Sequence, residues 1–467
     1  MADHILFLTG KLAEHQLRRV LVEIEPEFTY TVHQLGLSVA ALMTADMIRR
    51  RLKDTFGATR VLVPGRCRGD LDELSQHMGI SFERGPEELR DLPEFFGKQA
   101  NRPDLTRYAV QIFAEITDAP QLTVDEILRQ ARNYRSEGAN VIDLGCLPAT
   151  PFPHLEESIQ ALKADGFAVS VDSLENADLL RGGRAGADYL LSLHEESLWI
   201  ADEVTAVPIL IPARRGDLDS LDRAIATMTR RDRNFIADPI LDPIHFGFSD
   251  SLVRYHEVRQ RHPEVEIMMG VGNLTELTHA DTIGINATLL GICSELGIRH
   301  ILTTQVSKHA RRAVREADLA RRIMLAAAEL KTLPKHIDDG LMVLHERSPF
   351  PYTAEEIREL ASDIRDPSYR IQVSAEGVHI FNRDGLHTAT DPFALFPALG
   401  VEHDGGHAFY LGVELGRAQI AWQLGKRYTQ DEPLHWGCAI EAEPATVDLH
   451  AYKPAGVTLP RKPQGNE

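Results

Sequence analysis

Three acidic residues each end a short apolar run of the sequence: Asp143 follows AsnValIle, Asp172 follows ValSerVal and Asp238 follows PheIleAla. Such runs, bounded by Gly and Pro and separated by amphipathic stretches, predict parallel strands that alternate with helices. Barrels and open sheets bind their ligands at the carboxyl ends of these strands. Because a carboxylate is costly to bury without a partner, three at one mouth indicate a ligand with several N–H donors. Capping of the following helix is the alternative role for each Asp.

The net charge of −19, from 50 Lys and Arg against 69 Asp and Glu, argues against binding to nucleic acid or to an anionic membrane, which require a basic surface. The amino terminus has no basic region or cleavage site, and no apolar run approaches ~18 residues. We therefore expect a cytoplasmic protein that neither binds nor crosses a membrane. No set of His, Cys and carboxylate residues has metal-site spacing. The cysteines are too far apart for a zinc pattern and predict reduced thiols: Cys67, Cys146, Cys293 and Cys438.

Residues 107–330 contain eight apolar strand candidates at intervals that leave room for one helix each, which predicts an α/β fold with a central (β/α)8 barrel. A doubly wound open sheet is the structural alternative. Thr123 is the expected N-cap of a helix over Val124–Glu137, and further helices are expected at Leu155–Asp165 and Glu175–Ala185. The strand candidates end near Ala114, Ile142, Val171, Leu191, Ile211, Ala237, Met269 and Leu302.

A length of 467 residues suggests about three domains. Residues 1–105 alternate strands and helices as in a small, doubly wound, flavodoxin-like α/β domain, including a strongly amphipathic helix over Val39–Leu52. Residues 106–330 form the predicted barrel. Residues 331–440 predict a helical connector over 333–368, then a small α+β domain with a hairpin and a helix through Trp422–Tyr428. Residues 441–467, rich in Pro, Gly and charge, predict a flexible tail.

Four strand segments of the barrel resemble the signature strands of dihydropteroate synthases and of the wider pterin-binding superfamily. They are GlyAlaAsnValIleAspLeuGly (138–145), SerValAspSer (170–173), GlyAlaAspTyrLeuLeu (186–191) and AlaAspProIleLeuAspPro (237–243). That superfamily includes methyltransferases that pass a methyl group between tetrahydropterins and corrinoid proteins. With its extra domains, the chain resembles the large dihydropteroate synthase-related proteins of organisms that make tetrahydromethanopterin. The resemblance implies a pterin as substrate or cofactor.

The resemblance places the two pterin-anchoring carboxylates of the family on Asp172 and Asp238. A carboxylate can accept two hydrogen bonds at once from the N–H edge of a pterin. Asp242 is the competing alignment for Asp238, and Asp143 is a further substrate-binding candidate. Asn273 stands where the methyltransferase branch has an Asn near pterin N5, so the predicted catalytic set is Asp172, Asp238 and Asn273.

The sequence departs from the synthases at other strand ends. Glu115 replaces an Asn of the first strand, and the Ser-Arg-Lys of the seventh strand and the Arg-x-His of the eighth are missing. A phosphate could still bind to hydroxyls at the helix start that follows strand eight, although helix capping is the alternative role of those hydroxyls. Any Mg²⁺ would arrive with a diphosphate and contact Glu115 or Asp118, so no metal site is firm. The remaining substrate-binding candidates are Thr117, Ser192, His245, Thr303, Thr304 and Lys308.

The resemblance implies a transferase that condenses a hydroxymethyl-dihydropterin diphosphate with an arylamine, which in tetrahydromethanopterin synthesis is phosphorylated. A pterin-dependent methyl or one-carbon transferase is the first alternative, and it would require a corrinoid protein as partner. A pterin-binding protein without catalysis is the second alternative, and a barrel with an unrelated substrate is the third. Barrels of this superfamily often pair through helices, so a homodimer is expected.

Overall fold

The computed structural model describes residues 3–24, 26–37, 40–86, 89–97, 103–335, 337–347 and 349–440. The described residues divide into two compact units. The first unit comprises the described residues up to 97 together with 344–435. The second unit comprises residues 103–343 together with 436–440. The flexible tail expected over 441–467 lies outside the described residues, and domain boundaries near 105 and 330 stay a prediction. None of the helices in the described ranges is both long and apolar enough to cross a bilayer.

The first 97 residues contain a four-stranded parallel sheet in the order β2-β1-β3-β4. Alternate residues of its strands pack into separate apolar clusters, so both faces of the sheet are covered, as expected for a doubly wound domain. The fourth strand was not predicted, because SerPheGluArg carries a single apolar residue. The amphipathic helix expected over 39–52 begins only at Ala45, where the Thr44 side chain accepts a hydrogen bond from Met47 N (3.2 Å). The elements are β1 (His4–Thr9), α1 (Lys11–Ile24), β2 (Thr29–Gln34), α2 (Ala45–Arg51), β3 (Arg60–Val63), α3 (Leu71–Met78), β4 (Ser81–Arg84) and α4 (Leu92–Phe95), with 3-10 turns at Ala40–Leu42 and Leu89–Asp91.

Eight parallel strands form the second unit, in the order β10-β9-β8-β7-β6-β5-β12-β11. Ala237 N donates a hydrogen bond to Glu266 O (2.8 Å), and Ala237 bridges Ile267, which brings the two edge strands together. This contact confirms the predicted barrel over the open-sheet alternative. The strands are β5 (Gln111–Ile116), β6 (Val141–Gly145), β7 (Ala168–Asp172), β8 (Tyr189–Leu193), β9 (Val207–Leu210), β10 (Ile236–Ala237), β11 (Met268–Gly270) and β12 (His300–Thr304).

The barrel is filled by one apolar cluster below the mouth. Phe113, Val141 and Ile236 belong to this interior cluster. Because strand side chains alternate between faces, Glu115, Asp143 and Asp238, each two residues further along, also point inward, toward the mouth. The surrounding helices are α5 (Val124–Ser136), α6 (Leu155–Ala164), α7 (Asn176–Ala185), α8 (Ile200–Glu203), α9 (Leu218–Arg230), α10 (Phe248–Arg261), α11 (Gly272–Thr275), α12 (Thr282–Leu296) and α13 (Ala313–Leu330), with 3-10 turns at Ala119–Gln121 and Lys308–Ala310.

Three helices and three antiparallel strands make up the rest of the first unit. The predicted hairpin is present, and a third strand extends it. Within the described part of 333–368, only Ala354–Ser362 is an α-helix, so most of the predicted connector is irregular. The helix expected through Tyr428 ends at Leu424, where Gly425 adopts a left-handed conformation (φ 64°). The elements are α14 (Ala354–Ser362), β13 (Arg370–Ser374), β14 (Gly377–Asn382), β15 (Gly385–Ala389), α15 (Pro392–Leu399) and α16 (Gly405–Leu424), and a 3-10 turn at Gly437–Ala439 belongs to the second unit.

Candidate active site at the barrel mouth

Three carboxylates from adjacent strands meet at the carboxyl-terminal mouth of the barrel. Glu115 near the end of β5 pairs in register with Asp143 of β6, and Gly145 of β6 pairs with Asp172 of β7. One oxygen from each of Glu115, Asp143 and Asp172 lies within 4.8 Å of the others. Asp143 is fully buried, and the other two are half-buried. The sequence predicted the three residues as separate candidates, and the fold assembles them into one cluster, here named the carboxylate cluster.

The carboxylate cluster has few hydrogen-bond donors of its own. Asp143 Oδ1 accepts a hydrogen bond from the Ser170 hydroxyl, whereas Asp143 Oδ2 is buried and has no partner among the described residues. No side chain or backbone group in the described ranges donates to the Asp172 carboxylate. A Cβ on Gly145 would lie 2.6 Å from Glu115 Oε1. Glycine is therefore required at position 145 for the Glu115 carboxylate to lie over β6.

Burial and like charge together raise the pKa values of this cluster. Desolvation, followed by the charges of Asp172 and Glu276, raises the pKa of Glu115 to about 7. Desolvation and the charge of Asp238 raise the pKa of Asp172 to about 7. Desolvation, with Asp172 and Glu115, raises the pKa of Asp143 well above its usual value. Since the charges that act on the three groups are themselves carboxylates, the mouth favours protons, cations or N–H donors over anions.

The raised pKa values predict a pH dependence of stability for the protein in a chelating, metal-free buffer. Between about pH 4.5 and 7 the folded chain holds protons on Glu115 and Asp172 that the unfolded chain has released, so this contribution to stability is lost as pH rises. The lowered pKa values of the buried His300 and His379 act in the opposite direction.

The contribution is therefore measured as a difference between the protein and its Glu115→Gln variant. Urea midpoints at pH 5, 6 and 7 should show the variant gaining stability relative to the unsubstituted protein as pH rises. A constant difference across these pH values would contradict the raised pKa of Glu115.

Asp238 lies on the other side of the mouth, directly after β10. Its Oδ1 accepts hydrogen bonds from the Tyr255 hydroxyl (2.7 Å) and from Ile240 N (2.7 Å). Burial raises the pKa of Asp238 to about 6, although these two bonds and Arg254 act against the rise. The bond from Ile240 closes a turn in the loop after β10, and Asp238 does not cap the following helix, which begins only at Phe248. Asp238 Oδ2 has no donor in the described part of the chain, so this oxygen is available to a ligand.

Asp242, the alternative to Asp238 as the pterin-anchoring carboxylate, differs from Asp238 in its partners. Its two oxygens form ion pairs with Arg254 Nη2 (2.6 Å) and Arg215 Nε (2.7 Å). The Asp242 side chain is only 6% exposed, and that of Arg254 12%. Arg254 also donates to the carbonyls of Pro239 (3.2 Å) and Ile240 (2.9 Å), which carry the loop after Asp238. The structure thus uses Asp242 to hold this loop, with both carboxylate oxygens already engaged.

The segment after β12, predicted to bind phosphate, already contacts a carboxylate of this chain. Thr304 Oγ1 (3.0 Å) and Val306 N (2.8 Å) donate to Glu276 Oε1, and Ser307 N (2.8 Å) donates to Oε2. Burial alone would raise the pKa of Glu276, but hydrogen bonds from Ser307, Val306 and Thr304 lower it. We name these three donor groups the anion nest. An external phosphate would have to displace Glu276 to bind there.

Thr303 and Lys308, the two other candidates in or after β12, the eighth strand of the barrel, are not in the anion nest. Thr303 alternates with Leu302, which packs against the interior cluster, so Thr303 faces the helix layer. Its Oγ1 is buried, with no partner in the ranges that the structure describes. Lys308 is exposed to solvent.

The remaining predicted residues surround the mouth. Asn273, at the start of α11, is exposed and donates from Nδ2 to Leu241 O (2.7 Å). Ser192 is half-buried and follows a cis peptide bond in β8. His245 and Asp118 are exposed on loops. Thr117 lines a cavity of about 190 Å³ beside the carboxylate cluster, together with Glu115, Gly145, Cys146, Leu147, Pro148, Asp172, Ser173 and Leu174.

Four residues of the site were not identified from the sequence. Ser170 could have been found, because it lies two residues before Asp172 and strand periodicity places both on the same face. Tyr255, Arg254 and Glu276 gave no comparable signal. They lie on helices or in loops and reach their partners only through the tertiary fold.

Comparison with known proteins gives one family match and one curated relative. Residues 3–87 match a family described as "Family of unknown function (DUF6513)". A relative from Methanocaldococcus jannaschii, named "Uncharacterized protein MJ0107", is 25% identical over 526 aligned positions. That alignment covers 92% of this chain and 98% of the relative. The relative therefore shares nearly the whole length of this chain, but its name carries no activity.

Solved structures with similarity to this chain include dihydropteroate synthases. The enzyme from Vibrio fischeri has a TM-score of 0.39 at 15% identity, over 49% of this chain and 96% of its own. The enzyme from Yersinia pestis has a TM-score of 0.36 at 19% identity, over 48% of this chain and 95% of its own. The Thermus thermophilus enzyme, solved in complex with 6HMPPP, has a TM-score of 0.36 at 20% identity, over 48% of this chain and 95% of its own.

Proposed function

We propose that the barrel mouth binds a pterin and that the protein is a dihydropteroate synthase-like transferase. The observation that carries this proposal is the pair of carboxylates Asp172 and Asp238, which face one opening and each keep at least one oxygen without a donor in the described chain. Both fall in sequence segments that resemble the pterin-binding superfamily, Asp172 at the end of β7 and Asp238 directly after β10. A pterin edge offers an amino group and ring N–H donors, and a carboxylate accepts such donors with strong, directional hydrogen bonds.

The proposed reaction is a condensation at the exocyclic carbon of the pterin. The C–O bond of a hydroxymethyl-dihydropterin diphosphate breaks, diphosphate leaves with the bonding electrons, and an arylamine nitrogen forms the new C–N bond. Asp172 and Asp238 would stabilise the positive charge that develops on the pterin as diphosphate departs. The departing diphosphate would take up the proton that the arylamine nitrogen loses. In tetrahydromethanopterin synthesis the arylamine would carry a phosphate.

A departing diphosphate requires positive charge, and two arginines and the anion nest at the mouth are already engaged. Arg254 and Arg215 are both paired with Asp242, and the anion nest holds Glu276. The carboxylate cluster is a set of hard oxygen donors that fits Mg²⁺, and its buried Asp143 Oδ2 has no other partner in the described ranges. When bound, Mg²⁺ would neutralise the leaving diphosphate.

A second candidate function is methyl or one-carbon transfer from a reduced pterin. Two observations favour it. Glu276 fills the anion nest, which a methyl donor without a diphosphate would leave undisturbed. Asn273 is exposed at the mouth and uses only its amide nitrogen in the bond to Leu241, so its oxygen is available near a pterin ring. This reaction would require a corrinoid protein as the methyl acceptor.

Calorimetric titration distinguishes the two functions. The protein is titrated with hydroxymethyl-dihydropterin diphosphate and with methyl-tetrahydromethanopterin, each with and without Mg²⁺. Mg²⁺-dependent binding of the diphosphate is expected for the condensing enzyme and would justify assays with arylamines. Preference for the methyl-pterin would replace the first function with the second. Binding of both ligands without turnover of either would indicate a pterin-binding protein, and binding of neither would reject a pterin at this mouth.

Removal of Glu276 should expose the anion nest to external anions. In the Glu276→Ala variant, Val306 N, Ser307 N and the Thr304 hydroxyl lose their common acceptor, so inorganic phosphate should bind at least about tenfold more tightly than to the unsubstituted protein. Calorimetry with inorganic phosphate measures the change. Glu264→Ala, which removes an exposed charge before β11, controls for the change in net charge. Equal phosphate affinity in both variants would contradict the anion nest.

A further inference from the structure

The carboxylate cluster has the arrangement of a cation site built by three neighbouring strands. Its oxygens lie within 4.8 Å of one another, and oxygens on opposite sides of a Ca²⁺ ion are about 4.6–5.2 Å apart. The shorter oxygen–oxygen separations around Mg²⁺ or Mn²⁺ would require the half-buried Glu115 and Asp172 side chains to rotate toward Asp143. Asp143 lies deepest and is held by its bond from Ser170.

A second observation points to a ligand at this position. Asp143 is fully buried and projects into the barrel, two residues after Val141 of the interior cluster on the same strand face. Its Oδ2 is shielded from solvent and accepts no hydrogen bond from any described residue. Buried polar atoms in folded proteins almost always have a partner, and a carboxylate oxygen without one is among the costliest exceptions. A bound cation would supply the missing partner.

Among the described residues, no positively charged side chain pairs with the carboxylate cluster. None of its three carboxylates forms an ion pair within the described chain. Asp238 and Glu276 lie close enough to act on it electrostatically, and both are acidic. Cys146 lines the same cavity, but the cluster that meets the distance criterion consists of oxygen donors alone. Oxygen-only sites select hard cations such as Mg²⁺, Mn²⁺ or Ca²⁺.

We propose that Glu115, Asp143 and Asp172 bind one hard divalent cation directly, in the absence of any diphosphate or pterin. This site differs from one in which the metal arrives together with a diphosphate substrate, because the three protein ligands are already together before any substrate binds. Three carboxylates leave positions open on an octahedral ion for water or a substrate oxygen. Binding of the ion does not depend on the proposed function. A role of the ion in holding the leaving diphosphate does rest on the proposed function.

The test is direct binding of Mn²⁺ to the full chain after removal of metals with a chelator. Electron paramagnetic resonance of free Mn²⁺ gives the stoichiometry and the dissociation constant, and competition with Mg²⁺ and Ca²⁺ gives the preference. One Mn²⁺ per chain is expected. Asp143→Asn keeps the acceptor for Ser170 but removes the charge, and it should weaken Mn²⁺ binding at least about tenfold. Glu115→Gln should do the same and provides a half-buried variant if Asp143→Asn fails to fold.

Asp125→Asn is the matched control, since it removes an exposed carboxylate in the first turn of α5 and should leave Mn²⁺ binding unchanged. Absence of a bound Mn²⁺, or equal affinity in Glu115→Gln and Asp125→Asn, would overturn the proposal. Asp238→Asn distinguishes the proposed cation site from the proposed pterin site. Because Asp238 is not in the carboxylate cluster, this variant should weaken pterin binding and leave Mn²⁺ binding unchanged. Mn²⁺ binding without pterin binding would reject only the proposed function, and pterin binding without Mn²⁺ binding would reject only the cation site.

Discussion

Replacement of Arg254 by Met is expected to lower the free energy of unfolding by about 3–5 kcal/mol, the usual cost of removing one partner from a buried ion pair. The Asp242 carboxylate, 6% exposed, would keep only the exposed Arg215 as partner. The carbonyls of Pro239 and Ile240 would lose their donor as well. Chemical denaturation followed by circular dichroism measures the loss. Because the same loop carries Asp238, the variant should also bind pterin more weakly.

The control for this prediction lies on the same helix. Arg261 of α10 pairs with Asp222 (2.7 Å) and Glu257 (3.0 Å), but its side chain is 41% exposed. Solvent screens such pairs, so Arg261→Met should cost less than about 1 kcal/mol. If the two variants lost equal stability, the ion pairs of Asp242 would not be what holds the loop.

Replacement of Asp172 or Asp238 by Asn is expected to weaken pterin binding by about 1.5–3 kcal/mol, the usual scale for a hydrogen bond to a charged group. Asn keeps the size of the side chain and one acceptor oxygen, so the fold should be unchanged. In Asp238→Asn the remaining oxygen can still accept from Tyr255 and Ile240. The amide nitrogen cannot accept from a pterin N–H, and the negative charge is lost. Calorimetric titration with hydroxymethyl-dihydropterin measures the affinity.

Asp250→Asn, an exposed substitution on α10, should bind the pterin as the unsubstituted protein does. If both Asp172→Asn and Asp238→Asn also kept full affinity, the pterin would not bind at this mouth. A loss in only one of them would show that the pterin contacts a single side of the barrel.

The barrel could be predicted because its signal is local. Each interior strand is a short run of apolar residues, and each Asp at a strand end follows such a run directly, as in ValSerValAsp at 169–172. The Thr123 cap was equally visible, because its partner Glu126 lies three residues away. The fourth strand of the first sheet and the irregular stretch before Ala354 carried no such periodicity. Their conformation depends on neighbours that are distant in the chain.

The candidate site could be predicted in part. Strand ends located Glu115, Asp143, Asp172 and Asp238 at the mouth, because parallel strands end on the same side of a barrel. The phosphate interpretation of the segment after strand eight did not foresee that Glu276 contacts the same donors. Asp242 fitted the sequence pattern nearly as well as Asp238, and the difference between them became visible only in their partners.

The sequence by itself determined which residues end the strands, since hydrophobic periodicity and turn residues act over a few positions. Only the tertiary structure decided which carboxylates keep an oxygen available to a ligand. Ser307 lies 31 residues from Glu276, and Arg254 lies 12 from Asp242. A hydrogen bond or ion pair forms only when two such residues come within about 3 Å, and that distance is a property of the packed fold.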